Sequence, residues 1–240
     1  MAPALRHGSG LPRGRAARLE RADRQPQLAD AARERYGGEK LFLINPCGFL
    51  FQELTASRLI VCDLDGHVVR GEGELCKVAF HVHTRIHLAR PDAACVLHVH
   101  PQYLTTLSLL ELPELALVHH NNMLLNDRVA MDHRGVRTAD SNEGGDRLAA
   151  AMGGKSILIM GAHGVTVAGP TVLDAFDELY IAERTAMYQM TAMASGRRLK
   201  RLPESSRKHW HGPCGERLDA RLHLDAWRRV LDREEPDCAS

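Results

Sequence analysis

Three histidines follow two apolar segments of this sequence and could meet around one metal ion. Residues 94–97 are a short apolar run typical of a buried strand, and His98-Val99-His100 follows the run directly. Residues two apart on a strand point to the same side of the sheet. His98 and His100 can therefore present two imidazoles to one point at the carboxyl end of a strand, where α/β folds commonly place their chemistry.

The third histidine follows another apolar run, at residues 156–160. His163 stands between Gly161-Ala162 and Gly164, and the glycines would let the backbone turn sharply. Three neutral imidazoles suit Zn²⁺, and alternatively Mn²⁺ or Fe²⁺, and an open coordination position would make such a site catalytic. The alternative is that these are ordinary polar residues at strand ends. The combination of the two motifs favours the metal site.

Two longer motifs resemble the class II aldolase/adducin family. The pattern H-x-x-I-x-x-A-R-P-D-x-x-x-V-x-H-x-H begins at His83 and ends at His100, and a second motif covers residues 161–169. The resemblance extends over about residues 40 to 200. It implies a three-layer α/β/α domain with a central, mainly antiparallel sheet, commonly assembled as a homo-tetramer. It also implies a divalent metal held by His98, His100 and His163.

The local patterns predict one domain with two flanking segments. Residues 1–38 are rich in arginine, glycine and proline and are expected to be poorly ordered, residues 39–200 form the domain, and residues 201–240 form a loop and a helix that pack on the domain or on a neighbouring subunit. Predicted strands cover residues 41–44, 59–64, 67–69, 94–97, 115–118, 128–132 and 156–160. Predicted helices cover residues 75–89, 143–152, 171–195 and 217–232.

Two further residues are candidates for catalysis. In family aldolases a glutamate on the first turn of the helix, preceded by Pro-Ser-Ser, serves as metal ligand and general base, whereas Ala79 stands four residues before His83 here. Glu74 could replace that base only if the local backbone differs. His83 could donate a proton or support the metal ligands, because imidazole titrates near neutrality. It could equally be a hydrogen-bonded helix residue.

These departures decide between three functions. The glycine–asparagine loop with which family members bind a substrate's phosphate or carboxylate is not found in the N-terminal segment. Aldol cleavage needs a base within hydrogen-bond reach, whereas a decarboxylase needs mainly an electron acceptor and a proton source. The sequence therefore favours a metal-dependent decarboxylase of a small hydroxylated, possibly aromatic, carboxylate. An aldolase for a small sugar or hydroxy acid and a non-catalytic, adducin-like interaction domain are the alternatives.

Composition restricts the partners and the location. The formal net charge of +1 over 240 residues argues against binding to nucleic acid or to a membrane surface. The six cysteines contain no C-x-x-C pair, which predicts reduced thiols in a cytoplasmic protein. No apolar run reaches the length of a membrane span.

Two groups of polar residues have plainer explanations. His209-Trp210-His211 lies in a predicted loop, where the H-x-H spacing is weak support for metal binding. Several polar residues interrupt the apolar stripe of the helix predicted at 171–195, and solvated positions or a subunit contact would explain them. They are Tyr180, Glu183, Arg184, Tyr188 and Gln189.

Overall fold

A computed structural model of the chain describes residues 40–133, 139–203, 205–206, 220–234 and 236. Its first part is a three-stranded antiparallel sheet in the order β1-β2-β3. The strands are β1 (Phe42–Ile44), β2 (Ile60–Cys62) and β3 (Val68–Arg70). A turn containing Asp65-Gly66 joins β2 to β3, and Gly66 has a φ of 88°, a backbone conformation that glycine adopts without strain. A short 3₁₀ helix, Ala56–Arg58, precedes β2.

The second sheet has four strands in the order β4-β7-β6-β5. The strands are β4 (Cys95–Val99), β5 (Val129–Asp132), β6 (Ile157–Met160) and β7 (Gly164–Gly169). The pairs β4–β7 and β6–β7 are antiparallel, whereas β5 and β6 are parallel. The two histidine-bearing chain segments therefore lie at neighbouring strands, β4 and β7.

Helices cover both faces of this second sheet. They are α1 (Lys77–Ala89), α2 (Gln102–Ser108), α3 (Asn142–Met152), α4 (Val172–Met193) and α5 (Ala220–Glu234). Alternate residues of β6 point to opposite faces: Ile157 and Ile159 pack with α2 and α4, and Leu158 and Met160 pack with α1 and α3. The predicted three-layer α/β/α arrangement with mainly antiparallel pairing is confirmed.

The helix ends follow from side chains that accept backbone hydrogen bonds. Ser141 caps α3 by accepting from the N–H of Gly144 at 3.3 Å, and Thr171 caps α4 by accepting from Asp174 at 3.2 Å. α1 ends at Ala89, one residue before the Arg90-Pro91 pair, because the residue before a proline disfavours helical geometry.

The strand predicted at 115–118 is wrong. These residues belong to no strand, and their backbone groups are bonded to side chains and to a distant loop. Gln189 of α4 accepts from the N–H of Ala116 at 2.8 Å and donates to the carbonyl of Glu114 at 2.7 Å. Asn122 donates to the carbonyl of Ala116 at 2.7 Å. An apolar run whose backbone is satisfied in this way needs no neighbouring strand.

The last helix of the described chain, α5, packs within the same chain. α5 packs on α4 of the same chain, where Phe176, Leu224 and Leu231 form a small buried cluster. Residues 1–38 and the His209-Trp210-His211 motif lie outside the described residues. Within the described part of the chain, no helix has both the length and the apolar character that crossing a membrane requires.

Candidate metal centre

The three histidines singled out in the sequence come together in space. The ring centroids of His98 and His100 are 5.1 Å apart, those of His98 and His163 are 5.0 Å apart, and those of His100 and His163 are 4.8 Å apart. One ring nitrogen of each lies within 4.8 Å of those of the other two. Three imidazoles that converge in this way suit a borderline divalent ion, and their role as metal ligands stays a prediction.

Neighbouring groups on β7 orient the ring of His98. Its Nδ1 lies 3.2 Å from the carbonyl oxygen of Val165 and 3.1 Å from the hydroxyl oxygen of Thr166. A carbonyl can only accept, so Nδ1 carries the proton and the lone pair is on Nε2. A ring fixed in this tautomer through its rear nitrogen is the usual arrangement for a metal-ligating histidine.

Gly164 makes room for the ring of His100. A Cβ atom added at Gly164 would lie 2.4 Å from Cδ2 of His100 and 2.7 Å from the carbonyl oxygen of Val99. The sequence suggested that the glycines around His163 serve a sharp turn. For Gly164 the structure shows a different reason, because a side chain here would occupy the position of the His100 ring.

The turn that carries His163 is held at both ends. The N–H of Gly161 donates to the carbonyl of Asp132 at the end of β5, and the N–H of Ala162 donates to the carbonyl of Ser108 at the end of α2, both at 2.9 Å. Ala162 has a φ of 52°, which is uncommon for a residue with a side chain and costs conformational energy. These bonds fix the direction from which His163 enters the site.

A buried glutamate supports the other histidine-bearing segment. Glu183 of α4 is 2% exposed, and its two carboxylate oxygens accept from the N–H groups of Tyr103 and Leu104, each at 2.9 Å. These groups belong to the first turn of α2, which follows His100-Pro101 directly. Burial raises the pKa of Glu183, and the two backbone donors act in the opposite direction. Glu183 thus fixes the chain immediately after His100.

His83 lies on α1, partly buried and close enough to His98 for their charges to interact. Burial, with smaller contributions from the neighbouring His87 and His98, lowers the pKa of His83 to about 3. His83 is therefore neutral at neutral pH. This state fits a hydrogen-bonding partner better than an imidazolium proton donor. Burial, followed by the proximity of His100, also lowers the pKa of His163, which keeps that ring available as a ligand.

Glu74 is not brought into the histidine cluster. Glu74 is exposed in the loop before α1, and its backbone carbonyl accepts from the N–H of Cys47 at 2.8 Å. Among the described residues, the ligand group around His98 consists of histidines alone. The role of Glu74 as a substitute base stays a prediction that requires movement of this loop.

A second set of possible ligand atoms, Asp63, Asp65 and His67, lies in the turn between β2 and β3. Oδ1 of Asp63 accepts from the backbone N–H groups of Asp65 and His67, each at 2.9 Å. These bonds are those of an ordinary aspartate-stabilised turn. They explain why the three side chains are close together without a bound ion.

Sequence reasoning missed two residues that support the metal ligands. Glu183 was assigned with other polar residues of α4 to solvent or to a subunit contact, yet it is buried and accepts two backbone hydrogen bonds. Thr166 lies in the motif at 161–169, over which the sequence patterns predict no strand and no supporting role. A polar residue inside the otherwise apolar run 165–168, opposite His98 in the β4–β7 pair, was the available signal.

Comparisons with known proteins agree with this arrangement. The model of the class II aldolase and adducin N-terminal domain matches residues 31–190. A Caulobacter vibrioides protein described as an aldolase class 2 protein is 31% identical over 208 residues, which are 85% of this chain and 80% of that protein. Human beta-adducin is 32% identical over 210 residues, which cover 80% of this chain but only 28% of the adducin.

A solved structure has the same fold over almost the whole chain. It is the crystal structure of an aldolase II superfamily protein from Pseudomonas syringae, with a TM-score of 0.77 and 26% identity, and the match covers 98% of this chain and 97% of that one. The family resemblance read from the sequence is confirmed. The chain belongs to the class II aldolase and adducin N-terminal domain family.

Proposed function

We propose that this protein is a divalent-metal-dependent carbon–carbon lyase that decarboxylates a small hydroxylated carboxylate, with aromatic hydroxy acids among the candidate substrates. The observation that carries the proposal is the convergence of His98, His100 and His163, with no carboxylate in the group among the residues that the structure describes. Zn²⁺ is the first candidate ion, and Mn²⁺ or Fe²⁺ would also suit three imidazoles. When bound, such an ion supplies Lewis acidity toward the oxygen atoms of a hydroxy-carboxylate.

The residues of the chain have separate roles in this proposal. His98, His100 and His163 hold the ion, and Thr166 with the carbonyl of Val165 keeps the His98 ring in the ligating tautomer. His83 is neutral and hydrogen-bonds to a substrate oxygen, which orients the carboxylate that leaves. Loss of CO₂ leaves an electron pair on carbon, which a carbonyl group conjugated with that carbon, such as the keto form of a ring hydroxyl, must accept. A proton takes the place of the lost carboxylate.

Decarboxylation is favoured over aldol cleavage because the two reactions differ in their need for a base. Retro-aldol cleavage must remove a hydroxyl proton as the carbon–carbon bond breaks. Ala79 occupies the position where family aldolases carry the base, and Glu74 lies in an exposed loop. A neutral His83 whose pKa is lowered to about 3 is also a weak base. Decarboxylation requires no such base.

The test is CO₂ release from a panel of hydroxy-aromatic and aliphatic hydroxy acids, with and without a chelator. We expect release that the chelator abolishes and that added Zn²⁺, Mn²⁺ or Fe²⁺ restores. His98→Ala should be inactive, and His133→Gln, a change of an exposed residue outside the site, should retain full activity. Retro-aldol activity with no CO₂ from any acid would overturn the preference.

An aldolase for a small sugar or hydroxy acid is the second candidate, and the similarity to the C. vibrioides aldolase class 2 protein favours it. In that case Glu74 or His83 would act as the base. Either Glu74→Gln or His83→Gln should then abolish cleavage while metal content is unchanged. Full cleavage activity in both Glu74→Gln and His83→Gln would exclude these bases.

The similarity to beta-adducin favours a third candidate, a non-catalytic interaction domain. A folded protein that holds no divalent ion at any tested concentration would support it over both enzymes.

We also extend the proposal to a cytoplasmic homo-tetramer. Large apolar side chains, Leu109 at 63% and Leu112 at 84% exposure, support assembly because they follow α2 on the surface of the isolated chain. Light scattering should then give about four times the chain mass of 26.6 kDa.

A further inference from the structure

We propose that Cys47 and Cys76 are a modification site, a thiol pair that closes reversibly to a disulfide joining the end of the first strand to the start of α1. Cys47 follows β1, and Cys76 is the residue immediately before α1. Both thiols are free and partly buried. The proposal is independent of the histidine cluster and of the reaction it supports.

The loop after β1 and the loop after β3 meet beside the start of the middle strand, β2. A Cβ atom added at Gly73 would lie 2.6 Å from Cβ of Pro46 and 3.8 Å from Cγ2 of Ile60, the first residue of β2. One added at Gly71 would lie 3.0 Å from the carbonyl oxygen of Leu59. Segment 71–76 therefore lies directly against Pro46 and the start of β2, and glycine is required for this close approach.

A backbone hydrogen bond fixes the position of the two cysteines. The N–H of Cys47 donates to the carbonyl of Glu74 at 2.8 Å. The phi angles of Gly71 and Gly73, 90° and 142°, belong to a region that glycine adopts readily, so the loop can turn toward Cys47 without strain. Cys76 lies two residues after Glu74, and its thiol is close enough to Cys47 to contribute to the raised pKa of Cys47.

The chemistry is thiol–disulfide exchange with a small-molecule disulfide such as oxidised glutathione. One thiol, as the thiolate, attacks the small disulfide and forms a mixed disulfide, with one reduced glutathione released. The other thiol then attacks the protein sulfur of the mixed disulfide, and a second reduced glutathione leaves. Two thiol protons and two electrons pass to the glutathione, so the exchange balances. Burial and the neighbouring Cys76 raise the pKa of Cys47, so the reaction accelerates as the pH rises.

The other described cysteines serve as internal controls. Burial raises the pKa of Cys62 to about 11 and that of Cys95 to about 12, so neither thiol reacts readily near neutral pH. The disulfide would close a loop of about 30 residues that contains β2 and β3. Because it restricts the unfolded chain, oxidation should raise the melting temperature by roughly 5–10 °C.

The experiment treats the folded full-length protein with oxidised glutathione at about pH 8.5, where an ordinary thiol is half ionised. Free thiols are then alkylated, and the protein is digested without reduction for mass spectrometry. We expect a cross-linked peptide pair containing Cys47 and Cys76, with two hydrogens fewer than the reduced pair. Cys47→Ser and Cys76→Ser should each abolish it, and the Cys214→Ser/Cys238→Ser double variant should retain it.

Two results would overturn the proposal. The first is that both cysteines end as separate glutathione adducts or alkylated thiols while circular dichroism shows the native fold. The second is that the cross-linked protein and the reduced protein melt at the same temperature. The wild-type cross-link needs no variant, so a serine substitution that fails to fold does not affect the first result.

Discussion

At the scale of single residues, the histidine cluster depends on a glycine as much as on its imidazoles. Gly164 follows His163 in the chain and lies beneath the ring of His100, so one residue controls the spacing of two candidate ligands. A side chain at this position cannot be accommodated by a flexible neighbour alone, because the carbonyl oxygen of Val99 is also within 2.7 Å of the added Cβ. A substitution at Gly164 therefore tests the site without replacing any of the three histidines.

We predict that Gly164→Ala displaces the His100 ring and weakens metal binding. The expected loss of metal affinity is about tenfold or more, with a loss of stability of about 1–3 kcal/mol from overpacking. Metal titration and urea unfolding measure the two effects. Gly154→Ala is the matched control, because nothing lies within 4 Å of its added Cβ, and it should change stability by less than about 0.5 kcal/mol. Equal metal affinity of the two variants would contradict the prediction.

The partly buried His83 of α1 gives a prediction about pH. His83 has its pKa lowered from 6.5 to about 3 in the folded protein, so the unfolded chain binds the proton more strongly. The stabilising contribution of the neutral ring is complete above pH 6.5 and is lost progressively as the pH falls toward 3. His83→Gln should flatten this part of the stability profile, whereas His133→Gln, at an exposed position, should not.

Urea unfolding at a series of pH values, with chelator in every sample, measures the two slopes. The chelator matters because a bound ion would add its own pH dependence through the neighbouring ligands. Parallel profiles for wild type and His83→Gln below pH 6.5 would show that the ring of His83 is not held neutral by the fold.

At the scale of elements, α4 connects much of the domain through buried polar side chains. Glu183 binds the first turn of α2, and Gln189 binds the segment 114–116. Near its start, Asp177 pairs with His223 of α5 at 2.8 Å, and Glu178 pairs with Arg128 at 2.6 Å. Side chains of α4 thus bond to backbone groups of α2 and of segment 114–116 that have no partner within a strand or helix.

We predict that Glu183→Ala destabilises the domain by about 2–4 kcal/mol, because two buried N–H groups lose their acceptor. Glu183→Gln keeps one acceptor oxygen and should cost less than the alanine variant. Urea unfolding followed by circular dichroism compares them with Glu111→Ala, a change at an exposed position. A loss of stability in Glu183→Ala no larger than that in Glu111→Ala would contradict the role of Glu183 as acceptor for the first turn of α2.

The same helix shows why part of the structure could not be predicted. The apolar stripe of α4 and its Thr171 cap are local patterns, and both are found as expected. Glu183 and Gln189 look like solvated positions by the same local rule, because their partners lie about 75–80 residues earlier in the chain. The strand predicted at 115–118 fails for the complementary reason, since Gln189 supplies the hydrogen bonds that a strand would have supplied.

At the scale of the whole molecule, the sheet order explains how distant histidines meet. β4 and β7 are antiparallel neighbours, so the end of β4, with His98 and His100, lies beside the start of β7, which His163 precedes. The sequence predicted the two motifs and their strands from apolar runs followed by histidine. It did not predict the β4–β7 pairing, which arises from contacts between residues about 65–75 positions apart. The family resemblance supplied the expectation of a mainly antiparallel sheet and of a metal held by the three histidines, but no strand pairing.

The most direct test of the account is the metal content of the purified full-length protein. We predict about one divalent ion per chain after dialysis against Zn²⁺, Mn²⁺ or Fe²⁺, because three imidazoles form one ligand group. His163→Ala should lose the ion while circular dichroism stays native, and His133→Gln should keep it. A folded wild-type protein that binds no divalent ion, or a His163→Ala variant that binds it as tightly as wild type, would contradict the account.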